Sequence, residues 1–147
     1  MVTPFYSNKY TGSTLKQPAR FLPAGYITQQ TATYTFAGTA ALPLDVFNMF
    51  SIPSGAYLVD LVLDSDDLDS GGTPTISFDV GTSGTATLFI GSSTVGQAGG
   101  VTRAAKAGSV GYSFTRDTTI QVRIETPPQA GGTTGTFRLA AYYTTDQ

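Results

Sequence analysis

The stretch Ile120-Gln121-Val122-Arg123-Ile124-Glu125 decides the fold class, because it alternates apolar and polar residues without a break. Side chains of a β-strand point to opposite faces with a period of two, so Ile120, Val122 and Ile124 lie on one face and the polar side chains on the other. A strand with one apolar and one polar face is typical of an antiparallel sheet that packs one side on a core. We expect this segment to be such a strand.

Similar strand signals recur on either side of this stretch. The segment 57–63 is nearly continuous apolar sequence, broken only by Asp60, which is typical of a central strand. In a regular strand its inward side would carry Tyr57, Val59, Leu61 and Leu63. The last segment would face the core with Phe137, Leu139 and Ala141. In chain order, the predicted strands are 31–36, 46–52, 57–63, 76–80, 86–90, 110–114, 120–124 and 136–143.

These eight or so short strands, without a convincing helix, predict an all-β protein. The expected architecture is a two-sheet antiparallel β-sandwich, and a strand number near eight favours a jelly-roll-like arrangement over an immunoglobulin-like one. The segment 92–107 is rich in Gly, Ala and Ser and is expected to be a connection that contains at most a short helical turn. The sandwich domain is predicted to span 26–147.

Residues 1–25 show neither a strand period nor a helix period, and prolines interrupt them at positions 4, 18 and 23. Proline fixes φ and removes a backbone donor, so the segment is predicted to be an extended N-terminal arm. Aromatic side chains that no period explains are typical of contacts buried by a partner. The arm residues predicted to bind a partner are Phe5, Tyr6, Lys9, Tyr10, Lys16 and Arg20.

The sequence lacks several of the side chains on which most enzymes depend. Charged residues make up 12% of the chain, about half the usual share, and there is no His, Cys or Trp. A Ser-His-Asp triad, a thiolate metal site and a disulfide are therefore excluded. Two carboxylates suffice for glycoside hydrolysis, but nothing in the sequence resembles a sugar cleft around the candidates. The carboxylates considered for this role are Asp60, Asp79, Asp117 and Glu125. We expect that the protein is not an enzyme and has no cofactor.

Charge is distributed unevenly along the chain. The bases of the arm precede the first acid, Asp45, and the acids then concentrate in the loop 64–72, which ends in Gly71-Gly72. Such separation of charge fixes the register of docking more than its affinity. Aspartate also favours turns, so the loop is solvated or faces a partner. Calcium is the alternative ligand, but the spacing does not match an EF-hand and no metal site is predicted. The loop residues predicted to bind a partner are Asp64, Asp66, Asp67 and Asp69.

Three further classes of role are disfavoured. The net charge of −2 and the pI of about 4.7 argue against nucleic-acid binding driven by counterion release. No apolar stretch approaches the roughly 20 residues that span a bilayer, so no membrane partner is expected. The first residues lack a charged segment followed by an apolar run, so no signal peptide is predicted. The absence of cysteine is compatible with synthesis in a reducing cytosol.

Several segments carry a resemblance to a known class of proteins. They are Ile-Pro-Ser-Gly-Ala-Tyr-Leu-Val-Asp-Leu-Val-Leu at 52–63 with the acidic loop after it, Ile-Ser-Phe-Asp-Val-Gly at 76–81, Ile-Gln-Val-Arg-Ile at 120–124, and Gly-Thr-Phe-Arg-Leu at 135–139. Together, over about residues 45–145, they resemble small virion proteins of tailed bacteriophages, of the head decoration (cement) type. The resemblance implies a protein that binds an assembled capsid, often as a dimer or trimer, and reinforces it without catalytic residues.

We therefore predict a non-catalytic structural protein on the capsid surface of a phage, made in the host cytoplasm. Its expected partners are the major capsid protein and further copies of itself, as a dimer or trimer. The alternative from another class is a tail-fibre or head-fibre adhesive module that binds host glycans through the loops 64–72 and 92–107, which contain no aromatic residue. A tail-tube subunit is a nearer alternative, but 92–107 is only marginally long enough for its insertion loop.

Overall fold

The structure is a computed structural model that describes residues 26–38 and 40–145. This part of the chain contains one short 3₁₀ turn, Val95–Gln97, and no α-helix. Its strands are β1 (Ile27–Ala37), β2 (Val46–Ile52), β3 (Ala56–Ser65), β4 (Ser77–Gly81), β5 (Ile90–Ser93), β6 (Gly100–Arg103), β7 (Thr118–Thr126) and β8 (Thr134–Thr145). The predicted all-β class is confirmed. Nowhere in these residues is there a helix with the length and hydropathy to cross a lipid bilayer.

The eight strands form two four-stranded antiparallel sheets. The first sheet has the order β1-β8-β3-β6, and the second has the order β2-β7-β4-β5. The chain changes sheet at every connection except the one between β4 and β5, and this winding is the jelly roll. The predicted jelly-roll-like sandwich is therefore confirmed, and β3 is an inner strand of its sheet, as its apolar sequence indicated.

Two of the predicted strands are wrong, and one strand was missed. Residues 86–89 form a turn, in which the Leu88 amide donates to the Thr85 carbonyl at 3.2 Å, and β5 begins only at Ile90. Residues 110–114 make backbone hydrogen bonds to Ala56 and Leu58 of β3, but they form an isolated bridge and not a strand, and Gly111 adopts a φ of +76° there. The missed strand is β6, which pairs with β3 but contains too few apolar residues to show a period.

The core follows the period-two pattern of the long strands. Ile120, Val122 and Ile124 of β7 are fully buried, as predicted. The inward residues of β8 are also buried as predicted, namely Phe137, Leu139 and Ala141.

The strand β3 departs from the prediction at its start. A bulge opposite β8, between Leu58 and Asp60, inserts one extra residue and reverses the alternation. Leu58 is therefore buried, whereas Tyr57 and Val59 are exposed. Leu61 and Leu63, which follow the bulge, are buried as predicted.

Aromatic side chains join the two sheets around Phe137. Its ring centroid lies 5.2 Å from that of Phe47 and 5.5 Å from that of Phe78, both in the second sheet. On its own sheet, Tyr34 and Phe36 of β1 lie 5.6 and 6.0 Å away. Rings at these separations gain favourable edge and tilted contacts beyond the area they bury. Phe137 is thus in contact with strands from both sheets.

We expect Phe137→Ala to lower the free energy of unfolding by about 3–5 kcal/mol, because it removes a fully buried ring and leaves a cavity between the sheets. The matched control is Tyr26→Ala, since Tyr26 is an exposed aromatic residue whose loss should change stability by about 0.5 kcal/mol or less. Urea unfolding followed by circular dichroism measures both. Equal effects of the two substitutions would contradict the central position of Phe137.

Candidate functional site

The predicted partner-binding residues fall into two groups. The six arm residues lie outside the described part of the chain, so their prediction stays untested. Of the four aspartates of the acidic segment 64–72, Asp64 lies near the end of β3, and the other three lie in the acidic loop that follows it. Asp64, Asp66 and Asp67 are exposed or half-exposed, whereas Asp69 is only 2% exposed. Asp69 therefore differs from the other three aspartates in being buried, so only those three are accessible to a partner.

One arginine orients the exposed carboxylates. Arg138 of β8 lies opposite Asp64 of β3 in the register of the first sheet, so both side chains point to the outer face. Its Nη1 lies 3.1 Å from Oδ2 of Asp64 and 3.6 Å from Oδ1 of Asp66. All three side chains are substantially exposed, so these pairs contribute about 1 kcal/mol or less to stability. Two carboxylates around one guanidinium, together with the exposed Asp67, leave this end of the face negative.

The backbone of the acidic loop is held against the rest of the sandwich. The Asp66 amide donates to the Thr136 carbonyl at 2.9 Å, and Asp66 Oδ2 accepts from the Thr136 amide at 2.9 Å. Leu68 is buried, and its amide donates to the Gly96 carbonyl at 2.8 Å. The exposed carboxylates are consequently presented from a fixed backbone, which lowers the entropy lost when they meet a partner.

Asp69 fastens the loop from within. Its carboxylate accepts five backbone hydrogen bonds, from the amides of Gly71, Thr75, Ile76, Gln129 and Ala130. Burial raises the pKa of the Asp69 carboxyl, but the backbone hydrogen bonds outweigh burial and hold this pKa well below its usual value of 3.8. Asp69 thus joins the acidic loop to the start of β4 and to the turn 127–132, and its contacts are structural.

The carboxylates of the loop do not converge. Asp69 points inward to backbone amides, Asp64 and Asp66 face Arg138, and Asp67 accepts from the Asp69 amide. Among residues 26–38 and 40–145, no group of three or more acidic side chains is placed to hold a metal ion.

A partly buried ion pair lies on the second sheet, and the sequence did not predict it. Asp79 of β4 is fully buried, and its Oδ2 accepts hydrogen bonds from Nε and Nη2 of Arg123 on β7, the first at 3.1 Å. Its Oδ1 accepts from the Ser92 amide at 2.9 Å. A buried charge requires such a partner. The sequence offered one signal for this pair, the position of Asp79 within an apolar strand. Its partner could not be predicted, because it depends on the register between β4 and β7.

The carboxylates that were considered for hydrolysis are dispersed. A cleft of about 560 Å³, lined mainly by hydroxyl-bearing residues of the segments 82–84 and 112–119, contains only Asp117 of the four. Asp60 pairs with Arg103, Asp79 pairs with Arg123, and Glu125 accepts from the Ser77 hydroxyl. In the described residues, this cleft therefore does not offer the two facing carboxylates that glycoside hydrolysis uses.

The chain is similar to proteins in solved phage capsids. A chain in the capsid of Ralstonia phage GP4 is 31% identical, with a TM-score of 0.72, and the match covers 84% of this chain and 87% of that one. A chain in the capsid asymmetric unit of cyanophage Pam1 is 26% identical, with a TM-score of 0.75 and coverages of 92% and 100%. A chain in the acidic stable capsid of Helicobacter pylori bacteriophage KHP30 shares the fold, at 21% identity, a TM-score of 0.53 and coverages of 80% and 93%. No protein-family profile and no curated protein sequence matches.

We expect Asp69→Asn to lower the free energy of unfolding by about 2–4 kcal/mol at neutral pH, because the amide keeps one acceptor oxygen and turns its NH₂ group towards backbone donors. The lowered pKa of Asp69 means that its carboxylate stabilises the fold above pH 3.8 and stops doing so as the pH falls towards the folded-state pKa. The stability difference between wild type and variant should therefore be constant near neutral pH and shrink in acid.

Urea unfolding at several pH values measures this difference. Asp67→Asn is the matched control, since Asp67 is exposed and an asparagine oxygen can still accept from the Asp69 amide. A difference that does not change with pH would show that the charge of Asp69 is not what holds the loop.

Proposed function

This chain belongs to the family of the Ralstonia phage GP4 capsid chain, and from this premise we propose that it is a non-catalytic structural protein of a phage virion. Its place is the outside of the assembled capsid, where it binds the major capsid protein and bridges neighbouring coat subunits. It stabilises the head as a decoration protein.

The observation that carries this proposal is the extent of the match. The alignment with the GP4 chain covers more than four fifths of both chains, and the alignment with the Pam1 chain covers all of that chain. The matched chains are therefore separate polypeptides of about this length within their capsids. Small separate chains of this kind suit an added component of a shell.

The chemistry of the surface supports a binding role. The exposed carboxylates Asp64, Asp66 and Asp67 lie on a fixed loop and leave one end of the first sheet negative, which suits a basic patch on a coat subunit. The arm residues Phe5 and Tyr6 supply aromatic anchors and the arm lysines supply positive charge. A rigid body with two such attachments reinforces a boundary between subunits, and the symmetry of a shell multiplies each small contact.

Location in the particle is the first test. We expect the chain to copurify with intact phage particles, and a cryo-electron microscopy map to show its jelly roll on the outer surface of the head. Heads that lack the chain should release DNA at a lower temperature than decorated heads. Density for the chain in the tail would favour the tail-tube or fibre alternative. Absence of the chain from phage particles would refute the proposal.

Capsid binding tests the arm. We expect Phe5→Ala with Tyr6→Ala to weaken binding to undecorated heads about thirtyfold or more, since truncation of an aromatic anchor costs about 2 kcal/mol. Deletion of residues 1–22 should abolish binding and leave the sandwich folded. The control is Ser83→Ala in the 82–84 loop, which should bind as wild type. Full binding by the deletion variant would remove the arm from the proposed contact.

A further inference from the structure

One side of the sandwich carries both edge strands β1 and β2. Each of these strands ends its sheet in the strand order, and the two edges face the same side because Tyr34 of β1 lies 4.4 Å from Phe47 of β2, between ring centroids. We call β1, β2 and the described residues of their connection the β1–β2 flank. Tyr34 is half-exposed at its centre, where the two sheets open towards solvent.

This flank concentrates exposed apolar side chains. Of the ten large hydrophobic residues that are exposed in the described chain, six lie on the flank or directly before it: Tyr26, Ile27, Tyr34, Leu42, Leu44 and Val46. Leu44 is 64% exposed and adopts a φ of +66°, a conformation that costs a bulky residue of the order of 1 kcal/mol. A strained leucine that points into water gains nothing in an isolated molecule, so a covering surface is indicated.

The flank is also almost without charge. Between Tyr26 and Val59 the sequence contains one charged residue, Asp45, whose Oδ2 accepts a hydrogen bond from the Leu42 amide at 2.9 Å. The ion pairs that the structure describes lie on β3, β4, β6, β7, β8 and the acidic loop. The nearest to the flank is that of Arg123, which lies opposite Val46 and is neutralised by Asp79. Low charge together with exposed apolar residues is typical of the buried centre of permanent interfaces.

The edge of β1 lacks the features that keep sheet edges from pairing. Soluble proteins shorten, bulge or charge their edge strands, because an open edge presents unpaired backbone groups. β5 and β6 have four residues each, and β2 contains a bulge between Asn48 and Phe50. β1 has eleven residues, an unbroken register with β8, and neither proline nor charge. An edge of this kind requires a lasting cover.

We propose that the β1–β2 flank is the surface through which copies of this chain associate with one another. Any partner must present an equally uncharged surface, because a charge buried against this flank would have no counter-ion. A second copy carries such a surface, and β1 brings no like charges face to face when it meets itself. The inference rests on the proposed function, which puts the associated copies in a virion. Self-association is measured on the purified chain, so it can be disproved independently of the proposed function.

Sedimentation velocity of the full-length chain over a concentration series tests the proposal. We expect wild type to form an oligomer, and Leu42→Lys with Leu44→Lys to weaken self-association about tenfold or more, because each lysine must lose its hydration in the contact. Val101→Lys is the matched control, since Val101 is 63% exposed, against 64% for Leu44, and lies on β6 at the opposite edge. It should associate as wild type.

Hydrogen exchange distinguishes the possible occupants of the flank. Amides of β1 should become more protected as wild-type concentration rises and should not do so in the double variant. At concentrations where both are monomers, the thermal unfolding of the two should match. A wild-type chain that stays monomeric to about 100 μM overturns the proposal. So does a monomer with concentration-independent protection of β1, which points to the chain's own N-terminal segment. If the wild-type chain is a monomer and the double variant no longer binds phage heads, the flank contacts coat protein and not a second copy.

Discussion

The contact of aromatic rings around Phe137 is the constraint on which the rest of this structure depends. It joins β8 and β1 in one sheet to β2 and β4 in the other, so the separation of the sheets follows from how these rings pack. Once the inner faces are set, every outward position is set as well. The row that carries Arg138 and Asp64 faces outward because Phe137 and Leu139 on either side of Arg138 face inward.

Two buried carboxylates complete the frame. Asp69 is satisfied by backbone amides alone, whereas Asp79 is satisfied by Arg123 and one amide. Each ties together segments that are distant in sequence, because the cost of burying a charge is offset only when all its partners are in place. The acidic loop is therefore part of the rigid body, and its exposed aspartates are displayed by structure that Asp69 holds.

Charge divides the surface into regions with different chemistry. The outer face of the first sheet and the acidic loop are polar and carry ion pairs, which suits contacts that must find a register with a second kind of protein. The β1–β2 flank is nearly uncharged and apolar, which suits contact with an identical surface. A capsid decoration protein of the proposed kind needs both, because it must attach to the shell and reach across it.

The sequence alone determined the class, the sheet faces of the regular strands and the lack of His and Cys, since a period of two and a composition can be read without the fold. Tertiary structure decided the rest. The bulge in β3 exposes Tyr57 and Val59, because it arises from pairing with β8 and not from the residues of β3. The burial of Asp69 and the pairing of Asp79 with Arg123 depend on partners many residues away in the chain. Two aspartates with similar neighbours in sequence, Asp67 and Asp69, differ in role because only one of them lies where five amide groups converge.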